Sequence, residues 1–493
     1  MKEIFTSPYR KIFFAGLLFH IICAWFSVGY NHPDEHFQIL EFFNYKLNAT
    51  PTTYLPWEFN EKMRPAFQPA LVYWLAKLLY PSGIYNPFTL TLILRLLSGI
   101  ASWFITCLLC TLLVKDFKSE TGKKIFVLMS FFLWFIPYIN VRFSSENMSS
   151  IYFLCGIYLI LKTHIHRPNT FFPLFLSGFL LGFSFFIRFQ MVFAIIGLAL
   201  WLLLIKKTKW KSLFIIFLSA CAAILINICI DYWFYDEFIF TPWNYFYANI
   251  IQSKAVAGFG SAPFWFYITE FIMQVAPPLS LFLLLLFITG ISKNLKTPFV
   301  WIIIPFVLAH SITGHKEIRF LFPVTFVFIY IAALGLDHLL TKKYYLRIHK
   351  YVYIIALTVN IPLFAFRLFV PANEAIRYYS YLYKSATNEK TIIIGIKENP
   401  YQLSGHIANF YIPPGTTILQ AEDFTQIEPY LKTNQIKKAL LLHKKNDLET
   451  NIAGYKKEKL FTILPSWVLN NNINNWQRKA HIWSIYKFTS LKK

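Results

Sequence analysis

The sequence contains few charged residues. Asp, Glu, Lys and Arg together make up 14% of the 493 residues, whereas hydrophobic residues make up 56%. Soluble globular proteins have about 25% charged and about 45–50% apolar residues. The composition therefore excludes a disordered chain and disfavours a soluble enzyme, and it predicts an integral membrane protein.

Acidic residues and cysteines are also scarce. The 24 acidic residues against 47 basic residues give a net charge of +23. In a protein with many membrane spans, such an excess indicates cytoplasmic loops that face anionic lipid rather than nucleic-acid binding. The cysteines predict neither a disulfide framework nor a zinc site, because all of them lie in apolar runs. They are Cys23, Cys107, Cys110, Cys155, Cys221 and Cys229.

The long apolar runs predict a multi-spanning protein. A helix needs roughly 20 apolar residues to cross a bilayer, and this length criterion predicts about eleven spans. No small-residue cleavage site follows the first span, which is therefore expected to remain as an anchor. The alternative for 171–205 is a single broken helix. The predicted spans are 11–30, 88–114, 125–140, 148–162, 171–187, 191–205, 212–230, 265–290, 298–312, 320–340 and 351–370.

Charged residues predict which loops face outward. Basic residues precede the first span and occupy every second loop after it, and the positive-inside rule places these loops in the cytoplasm. Acidic residues have the opposite distribution, with most of those before residue 371 lying on the other loops. Either an outward-facing site uses these carboxylates, or the acids simply avoid the anionic lipid of the cytoplasmic leaflet.

Residues 371–493 differ from the rest of the chain because they contain no apolar run of membrane length. Short β-rich runs alternate with helix-like stretches at 401–410 and 424–435, which predicts a small α/β domain. An odd number of spans after a cytoplasmic N-terminus places this domain outside. We therefore expect a transmembrane catalytic domain at 1–370 and an extracytoplasmic domain at 371–493. The β-rich runs are Thr391–Ile396, Thr417–Leu419, Ala439–Leu442 and Ile482–Phe488.

Candidate catalytic carboxylates follow the first span, in the segment 31–38 (NHPDEHFQ). Asp34 and Glu35 are expected to have different tasks, because adjacent residues of a helix point to different sides. A partly desolvated carboxylate at the membrane–water boundary can act as a general base. Two alternatives stay open: a helix N-cap with a surface acid, and a metal site that uses His32 and His36.

The same loop continues with aromatic residues mixed with charged ones, among them Trp57, Glu58 and Arg64. Such a mixture suits a sugar, since rings stack on its C–H faces and polar groups bind its hydroxyls. The alternative is an aromatic belt with proline turns at the membrane interface.

Later outward loops carry ionisable groups at places where lipid penalises them. Such groups are costly at membrane depth and usually serve a pathway or a ligand. Arg188, His315, Lys316 and Arg319 form a set that can bind a phosphate, Arg through bidentate hydrogen bonds and Lys as a point charge. The alternative is a group of basic side chains that snorkel to lipid headgroups.

Three sequence blocks, in this order along the chain, resemble a known family. The first is His32-Pro33-Asp34-Glu35-His36-Phe37-Gln38 with Glu41, followed by Tyr54, Trp57, Glu58, Phe59 and Arg64. The second contains Asp231, Trp233, Tyr235, Pro242, Asn244, Asn249, Pro263, Trp265 and Tyr267. The third is His315-Lys316-Glu317-Ile318-Arg319-Phe320, in which Ile318 replaces a second acid that is usual in the family. The blocks are similar to those of the GPI-anchor mannosyltransferases of glycosyltransferase family 22, which also contains α-mannosyltransferases of the endoplasmic reticulum.

The resemblance implies a GT-C fold with about eleven transmembrane helices and an active site on the lumenal or periplasmic face. It implies Asp34 as the general base and Glu35 as the residue that orients the acceptor or a neighbouring basic group. His315, Lys316, Arg319 and Arg188 would bind the donor phosphate, and we expect Asp34 and Arg319 to line one outward-opening cavity. Residues implied for sugar or acceptor binding are His32, Gln38, Trp57, Glu58, Arg64, Asp231, Trp243, Asn244 and Trp265.

The expected function is inverting transfer of mannose from a polyprenyl-phosphate donor to a glycolipid or glycan hydroxyl, which forms an α-mannoside. No cofactor or metal and no nucleic-acid partner is expected. The membrane is that of the endoplasmic reticulum or a bacterial inner membrane, and the Lys/Ile/Asn/Phe-rich composition is compatible with a bacterial source.

Three alternatives stay open. The first is a GT-C transferase of another sugar to protein or lipid. The second is a flippase or transporter of lipid-linked glycans, which the absence of an internal repeat and the gathering of polar residues at one face disfavour. The third is an inactive scaffold subunit, which has no need to retain both the Asp34-Glu35 pair and the block 315–319.

Overall fold

Helices form most of the chain before residue 387, and β-strands follow it. The structure is a computed structural model that describes residues 2–83, 86–166, 171–342, 345–386, 391–445, 448 and 450–491. Its contacts divide the chain into two units. The helical unit comprises Met1–Ser27, Trp57–Leu75 and Thr91–Val370, and the sheet unit comprises Val28–Pro56, Ala76–Leu90 and Pro371–Lys493.

The helices before the sheet follow the apolar runs of the sequence. They extend over Lys2–Thr6, Arg10–Phe26, Pro33–Phe37, Leu40–Lys46, Trp57–Asn60, Phe67–Leu79, Pro87–Leu113, Glu120–Phe132, Ile136–Asn140, Ser145–His166, Phe171–Ile187, Met191–Leu200, Trp210–Tyr235, Thr241–Phe246, Lys254–Phe259, Phe266–Val275, Leu279–Lys293, Pro298–Ile312, Thr325–Leu340, Tyr345–Phe369 and Ala375–Ala386. Two π-helical turns, Trp201–Ile205 and Tyr247–Ile251, and a 3-10 helix at Ile318–Val324 extend three of them.

Three helical segments of the described residues are long and apolar enough to cross a membrane by themselves: Pro87–Asp116, Trp210–Tyr235 and Ile318–Leu340. Shorter apolar helices of 10–17 residues accompany them, such as Phe171–Ile187 and Pro298–Ile312. The structure is therefore that of a helical protein with membrane-spanning helices, while the count of about eleven spans stays a prediction.

Proline interrupts two of the predicted spans. The span 125–140 consists of Glu120–Phe132 and Ile136–Asn140, with Pro137 in the first turn of the second helix. The span 265–290 is likewise divided at Pro277 and Pro278. Proline has no amide hydrogen and its ring clashes with the preceding turn, so a helix ends or begins there. The segment 171–205 also forms two helices, which the turn at 188–190 separates.

Close backbone contact joins the helices Phe171–Ile187 and Trp210–Tyr235. A Cβ atom on Gly178 would lie 2.1 Å from the carbonyl oxygen of Ile216, and one on Gly182 would lie 2.5 Å from that of Ala220. The two glycines are four residues apart, the small-xxx-small spacing that lets membrane helices approach each other closely.

The core of the helical unit is rich in aromatic side chains. Phe13, Phe126, Phe131, Phe153 and Phe306 are all fully buried in one apolar cluster. Helices from widely separated parts of the chain contribute to it, so this cluster holds the polar loops at the helix ends in place.

The sheet unit contains the predicted α/β domain. Its strands are β1 (Ile392–Ile396), β2 (Gln402–Leu403), β3 (His406–Ile407), β4 (Thr417–Ala421), β5 (Lys438–His443), β6 (Tyr455–Thr462) and β7 (Ser484–Ser490). Five of them form one sheet in the order β4-β1-β5-β7-β6. β1 pairs in parallel with β4 and β5, and β7 pairs antiparallel with β5 and β6. Short helices at Phe424–Thr433, Ser466–Leu469 and Trp476–Lys479 complete it, and the first of these packs Ile427 and Leu431 against the sheet.

Two details of this domain differ from the prediction. The stretch 401–410 is not a helix, because β2 and β3 form a hairpin across Ser404 and Gly405, both of which have positive φ. Two successive residues with positive φ are typical of a tight hairpin turn. The strand β6 was not predicted, because its lysines interrupt the alternation of apolar and polar residues that marks a strand. It lies at the edge of the sheet, where charged side chains are common.

We expect Gly178→Ala to destabilise the helical unit. The added methyl group has no space against the carbonyl of Ile216, and overpacking costs about 1–3 kcal/mol. Thermal unfolding of the purified protein in detergent measures the change.

The matched control is Gly258→Ala, at a helical glycine whose Cβ would have no neighbour within 4 Å. Its melting temperature should stay the same or rise slightly, because alanine is the better helix former. Equal melting temperatures for both variants would contradict the close approach.

Candidate functional site

The short helix Pro33–Phe37 presents the two candidate carboxylates. Pro33 is its first residue, a position where the missing amide hydrogen costs nothing. His32 caps the helix: its Nδ1 accepts the amide hydrogen of Asp34 at 3.3 Å and lies 3.4 Å from Asp34 Oδ1. Glu35 Oε2 accepts the amide hydrogen of Asn31 at 3.3 Å. The two carboxylates therefore have different partners, and the Asp34 side chain is 23% exposed.

Two arginines share one buried carboxylate in the helical unit. Arg188 Nη1 lies 2.9 Å from Glu146 Oε1, and Arg319 Nη1 lies 3.1 Å from the same oxygen. All three side chains are buried. Burial of an ion pair is tolerated only when the geometry is good and the remaining hydrogen-bonding groups are satisfied. Two positive charges thus converge on a single oxygen atom at the ends of the surrounding helices.

The cluster continues from Arg319 toward solvent. Arg319 binds Glu317 with two hydrogen bonds, Nε to Oε2 at 2.6 Å and Nη2 to Oε1 at 3.1 Å. His315 Nε2 lies 3.0 Å from Glu317 Oε1. Glu317 and His315 are partly exposed, at 24% and 20%. The cluster of Glu146, Arg319, Glu317 and His315 therefore extends from a buried carboxylate, that of Glu146, to the partly exposed side chains of Glu317 and His315.

An aromatic ring supports both arginines. The guanidinium carbons of Arg188 and Arg319 lie 5.1 Å and 5.3 Å from the ring centre of Phe320. These distances are those of cation–π contacts. Arg188 Nη1 also donates to Ser145 Oγ at 3.0 Å, while its buried Nε has no hydrogen-bond partner among the described residues.

Lys316 is placed differently from its neighbours. Its Nζ donates to the carbonyl oxygen of Ala262 at 2.6 Å and also to that of Thr313. Burial lowers the pKa of Lys316, because desolvation disfavours the charged form. In this position Lys316 ties its own loop to residue 262, and its role as a phosphate ligand stays a prediction.

Glu58 and Arg64 form a second polar group of the helical unit. Arg64 Nη2 lies 3.4 Å from Glu58 Oε1, and the guanidinium carbon lies 5.7 Å from the ring centre of Tyr245. The backbone carbonyl of Arg64 accepts the hydroxyl hydrogen of Tyr235 at 2.7 Å. Trp57, at the start of the same short helix as Glu58, is half-buried.

Asp231 is fully buried and both of its oxygens are occupied. Oδ1 accepts the amide hydrogen of Ala66 at 2.7 Å, and Oδ2 accepts the hydroxyl hydrogen of Thr241 at 2.8 Å. Asn244 Nδ2 similarly donates to the carbonyl of Lys62 at 3.1 Å. Asp231 joins the end of the helix Trp210–Tyr235 to Ala66 and Thr241, and Asn244 joins the helix Thr241–Phe246 to Lys62.

The remaining predicted site residues lie at the surface or inside the sheet unit. Trp243 and Trp265 expose 56% and 60% of their surface, as suits rings that meet lipid or sugar. Gln38 is buried and its amide hydrogen is accepted by the carbonyl of Asp34 at 3.2 Å, which ends the short helix. The expectation that Asp34 and Arg319 line one cavity stays a prediction.

Glu146 was not among the site residues predicted from the sequence, and His36 was considered only as a possible metal ligand. Glu146 is the one acid in the helix Ser145–His166, a signal that was present but weak. The structure gives His36 a different role, because its Nε2 lies 2.9 Å from the buried carboxylate of Glu41. Among the described residues, no group of three or more His, Cys, Asp or Glu side chains is arranged to hold a metal ion.

Replacing Glu146 by alanine should strongly destabilise the protein. The variant removes the carboxylate shared by two buried guanidinium groups, and breaking a buried ion pair costs about 3–5 kcal/mol. The control is Glu374→Ala, which removes an exposed partner of Arg377 and should cost about 0–1 kcal/mol. Thermal unfolding of both variants is the measurement, and a similar small loss in both would show that the buried cluster does not hold these helices.

Comparison with known proteins identifies the relatives of this chain. The family description "Alg9-like mannosyltransferase family" matches residues 11–400. GPI mannosyltransferase 3 of Candida albicans is 26% identical over 414 residues, which are 83% of this chain and 79% of that protein. Mannosyltransferase APTG1 of Arabidopsis thaliana is also 26% identical, over 64% of this chain and 57% of that protein.

Solved structures share the fold. ArnT from Cupriavidus metallidurans bound to undecaprenyl phosphate has a TM-score of 0.51, with 89% of this chain and 93% of that chain covered and 10% sequence identity. At this identity the similarity concerns the GT-C-like helical fold alone. The family predicted from the three sequence blocks is confirmed by the match over residues 11–400. This chain belongs to the Alg9-like mannosyltransferase family.

Proposed function

We propose that the protein transfers mannose from a polyprenyl-phosphate donor to a hydroxyl group of a glycolipid or glycan, with inversion, and forms an α-mannoside on the extracytoplasmic face of the membrane. Membership of the mannosyltransferase family supports the sugar. Undecaprenyl phosphate in the related fold of ArnT is compatible with a lipid-linked donor. The outward orientation rests on the positive-inside distribution of the basic residues.

The observation that carries this proposal is the convergence of Arg188 and Arg319 on Glu146 Oε1. A phosphate oxygen is negatively charged, as the carboxylate oxygen of Glu146 is, and arginine binds phosphate through paired hydrogen bonds. A polyprenyl tail must stay in lipid while its phosphate meets polar groups. Fixed arginines at the ends of membrane helices meet this requirement.

The same arginines would stabilise the leaving group. During transfer the bond between mannose C1 and the phosphate oxygen breaks, and the electron pair stays on the phosphate. Preorganised cationic donors lower the free energy of such a developing charge, the task that a metal ion performs in other enzymes. Metal-independent transfer is therefore part of the proposal. His315, which contacts Glu317, lies at the exposed end of this cluster and would bind a phosphate oxygen that faces solvent.

Asp34 is the proposed general base. It would take the proton of the acceptor hydroxyl while the hydroxyl oxygen forms a bond to mannose C1, opposite to the leaving phosphate. Attack from the opposite face inverts the configuration, so an α-mannoside requires a β-linked donor. Partial exposure, at 23%, leaves Asp34 accessible to an acceptor. Glu35 would orient the acceptor or a neighbouring cation.

The remaining residues would shape the sugar and acceptor sites. His32 would hold the backbone of Asp34 in place, since its Nδ1 accepts the amide hydrogen of that residue. Trp243 and Trp265 offer exposed rings to sugar or lipid. The other side chains would contribute by direct polar contacts or by holding the loops: Gln38, Trp57, Glu58, Arg64, Asp231, Asn244 and Lys316.

Asp34→Asn should lower transfer by about 100-fold or more, because the amide cannot accept the proton of the acceptor hydroxyl. The assay uses purified protein, polyprenyl-phosphate mannose and a panel of mannose-terminated acceptors, with EDTA in parallel samples. Activity of the unchanged protein should survive EDTA.

The matched control is Asp236→Asn, an exposed residue with positive φ that asparagine also adopts readily. It should retain full activity. Transfer that disappears in EDTA would contradict the metal-independent mechanism, and full activity of Asp34→Asn would contradict its role as base. Transfer of a different sugar would refute mannose as the donor sugar.

Arg319→Lys should weaken both donor binding and turnover, by about 10-fold or more, because lysine keeps the charge but loses the paired hydrogen bonds. Binding of a fluorescent polyprenyl phosphate and steady-state transfer measure the two effects. Arg377→Lys, at an exposed ion pair, serves as the control and should bind like the unchanged protein. Unaltered binding in Arg319→Lys would place the phosphate elsewhere.

A further inference from the structure

A buried hydrogen-bonded pair, His36 and Glu41, adjoins the candidate catalytic carboxylates in the sequence. His36 follows Glu35 in the short helix Pro33–Phe37, and its side chain is 1% exposed. Its Nε2 lies 2.9 Å from Oε1 of Glu41, which is completely buried. No step of the proposed transfer reaction uses either residue, although the pair requires the burial of a carboxylate.

Three hydrogen-bond donors, rather than one, contact the buried carboxylate of Glu41. Oε1 accepts hydrogen bonds from His36 Nε2 and, at 3.0 Å, from the amide of Phe410. Oε2 accepts the hydroxyl hydrogen of Thr50 at 2.6 Å. A buried carboxylate is stable only with such a full set of partners. One side chain therefore connects the catalytic loop to a residue 369 positions later in the chain.

The His36 ring is fixed by a stacking contact on its face in addition to the hydrogen bond of its Nε2. It stacks on Tyr411 with a centroid distance of 5.2 Å and an angle of 10°. Tyr411 in turn stacks on Phe88 at 5.1 Å. Tyr411 follows Phe410 in the 3-10 turn Asn409–Tyr411. The same turn thus supplies both the hydrogen bond to Glu41 and the surface against which His36 lies.

The hydrogen-bond count indicates which ring nitrogen carries the hydrogen. An ionised carboxylate only accepts, so Nε2 of His36 donates to Glu41. Nδ1 is buried and has no partner among the described residues. A hydrogen on Nδ1 would be an unsatisfied buried donor, whereas a bare lone pair costs less. The arrangement therefore favours a neutral ring with its hydrogen on Nε2, in a single orientation.

We propose that His36 and Glu41 are positioning residues for Asp34 and Glu35, and that the turn Asn409–Tyr411 of the C-terminal part completes this support. A helix of five residues does not hold its own conformation in isolation, so its orientation depends on anchors. His36 is the anchor nearest to the two carboxylates. This inference rests on the proposed role of Asp34 as base.

A second contact strengthens the assignment. Phe37 lies 5.0 Å from the ring of His406, in the hairpin β2–β3. The hydroxyl groups of Tyr30 and Ser404 lie 3.2 Å apart at the same hairpin. Residues of the C-terminal part thus contact both ends of the segment that carries Asp34. The C-terminal part would then act in catalysis by shaping the first outward loop, without touching the sugar itself.

The test compares three variants of the full-length protein. His36→Leu removes the hydrogen bond to Glu41 and the ring stack, and should lower kcat about 10- to 100-fold, the magnitude known for residues that orient metal ligands in enzymes. The KM for the donor should stay within about twofold, because the donor phosphate is assigned to other residues. His36→Gln keeps a donor near Nε2 and should recover most of kcat.

Tyr455→Phe is the control. It removes hydrogen bonds from the Tyr455 hydroxyl to the carbonyl oxygens of Leu431 and Ile436 in the C-terminal sheet domain, and should lower the melting temperature while leaving kcat close to that of the unchanged protein. A merely structural role predicts that kcat follows the melting temperature in all three variants. Equal kcat losses in His36→Leu and Tyr455→Phe would therefore overturn the proposal.

Hydrogen–deuterium exchange gives a measurement that is independent of activity. Amides of the segment 33–38 should exchange faster in His36→Leu than in Tyr455→Phe or the unchanged protein. Unaltered exchange in this segment would overturn the positioning role even if catalysis changed. Absence of transfer by the unchanged protein would instead contradict the proposed function, and the exchange result would still decide whether His36 holds the short helix.

Discussion

A charge removed from water must be met by opposite charge or by aligned hydrogen-bond donors, and this constraint organises both units of the structure. Glu146 forms ion pairs with two arginines. Asp231 accepts hydrogen bonds from a backbone amide and a hydroxyl group, and Glu41 accepts hydrogen bonds from three donors. Each carboxylate joins segments that lie far apart in the chain. In a protein with so few charged residues, these bonds specify which loops meet, while a core of aliphatic and aromatic side chains supplies the apolar contact.

The constraint also explains why the cluster that stabilises the helical unit is suited to bind an anion. Arg188 and Arg319 are held by Glu146, by Glu317 and by the ring of Phe320, so they are oriented before any ligand arrives. Preorganised groups pay no reorganisation cost when charge develops on a leaving phosphate. Stability and the proposed catalysis therefore use the same side chains, and changes here should affect both.

Much of the fold and part of the site could be predicted from the sequence. Apolar runs located the helices, and the β-rich runs located four strands of the C-terminal sheet. The prolines that divide the spans near 133–137 and 277–278 were visible, but a count of apolar residues ignores them. The hairpin at Ser404 and Gly405 was missed because two residues with positive φ outweighed a helix-like composition. Motif blocks identified Asp34 and Arg319. Glu41 belongs to the first block and Glu146 to the outward acids, but nothing in the sequence assigned either of them a role.

Composition and local pattern by themselves determined that this chain is a membrane protein of helices with a small sheet domain, and that it belongs to a mannosyltransferase family. These properties depend on residues close together in the chain, whose effects add. Only the tertiary structure decided the partners of the buried charges. Glu146 and Arg319 are 173 residues apart, and Glu41 and Phe410 are 369 apart. Such pairs form only when distant segments pack together, because a hydrogen bond requires contact within about 3 Å, a condition that no local pattern encodes.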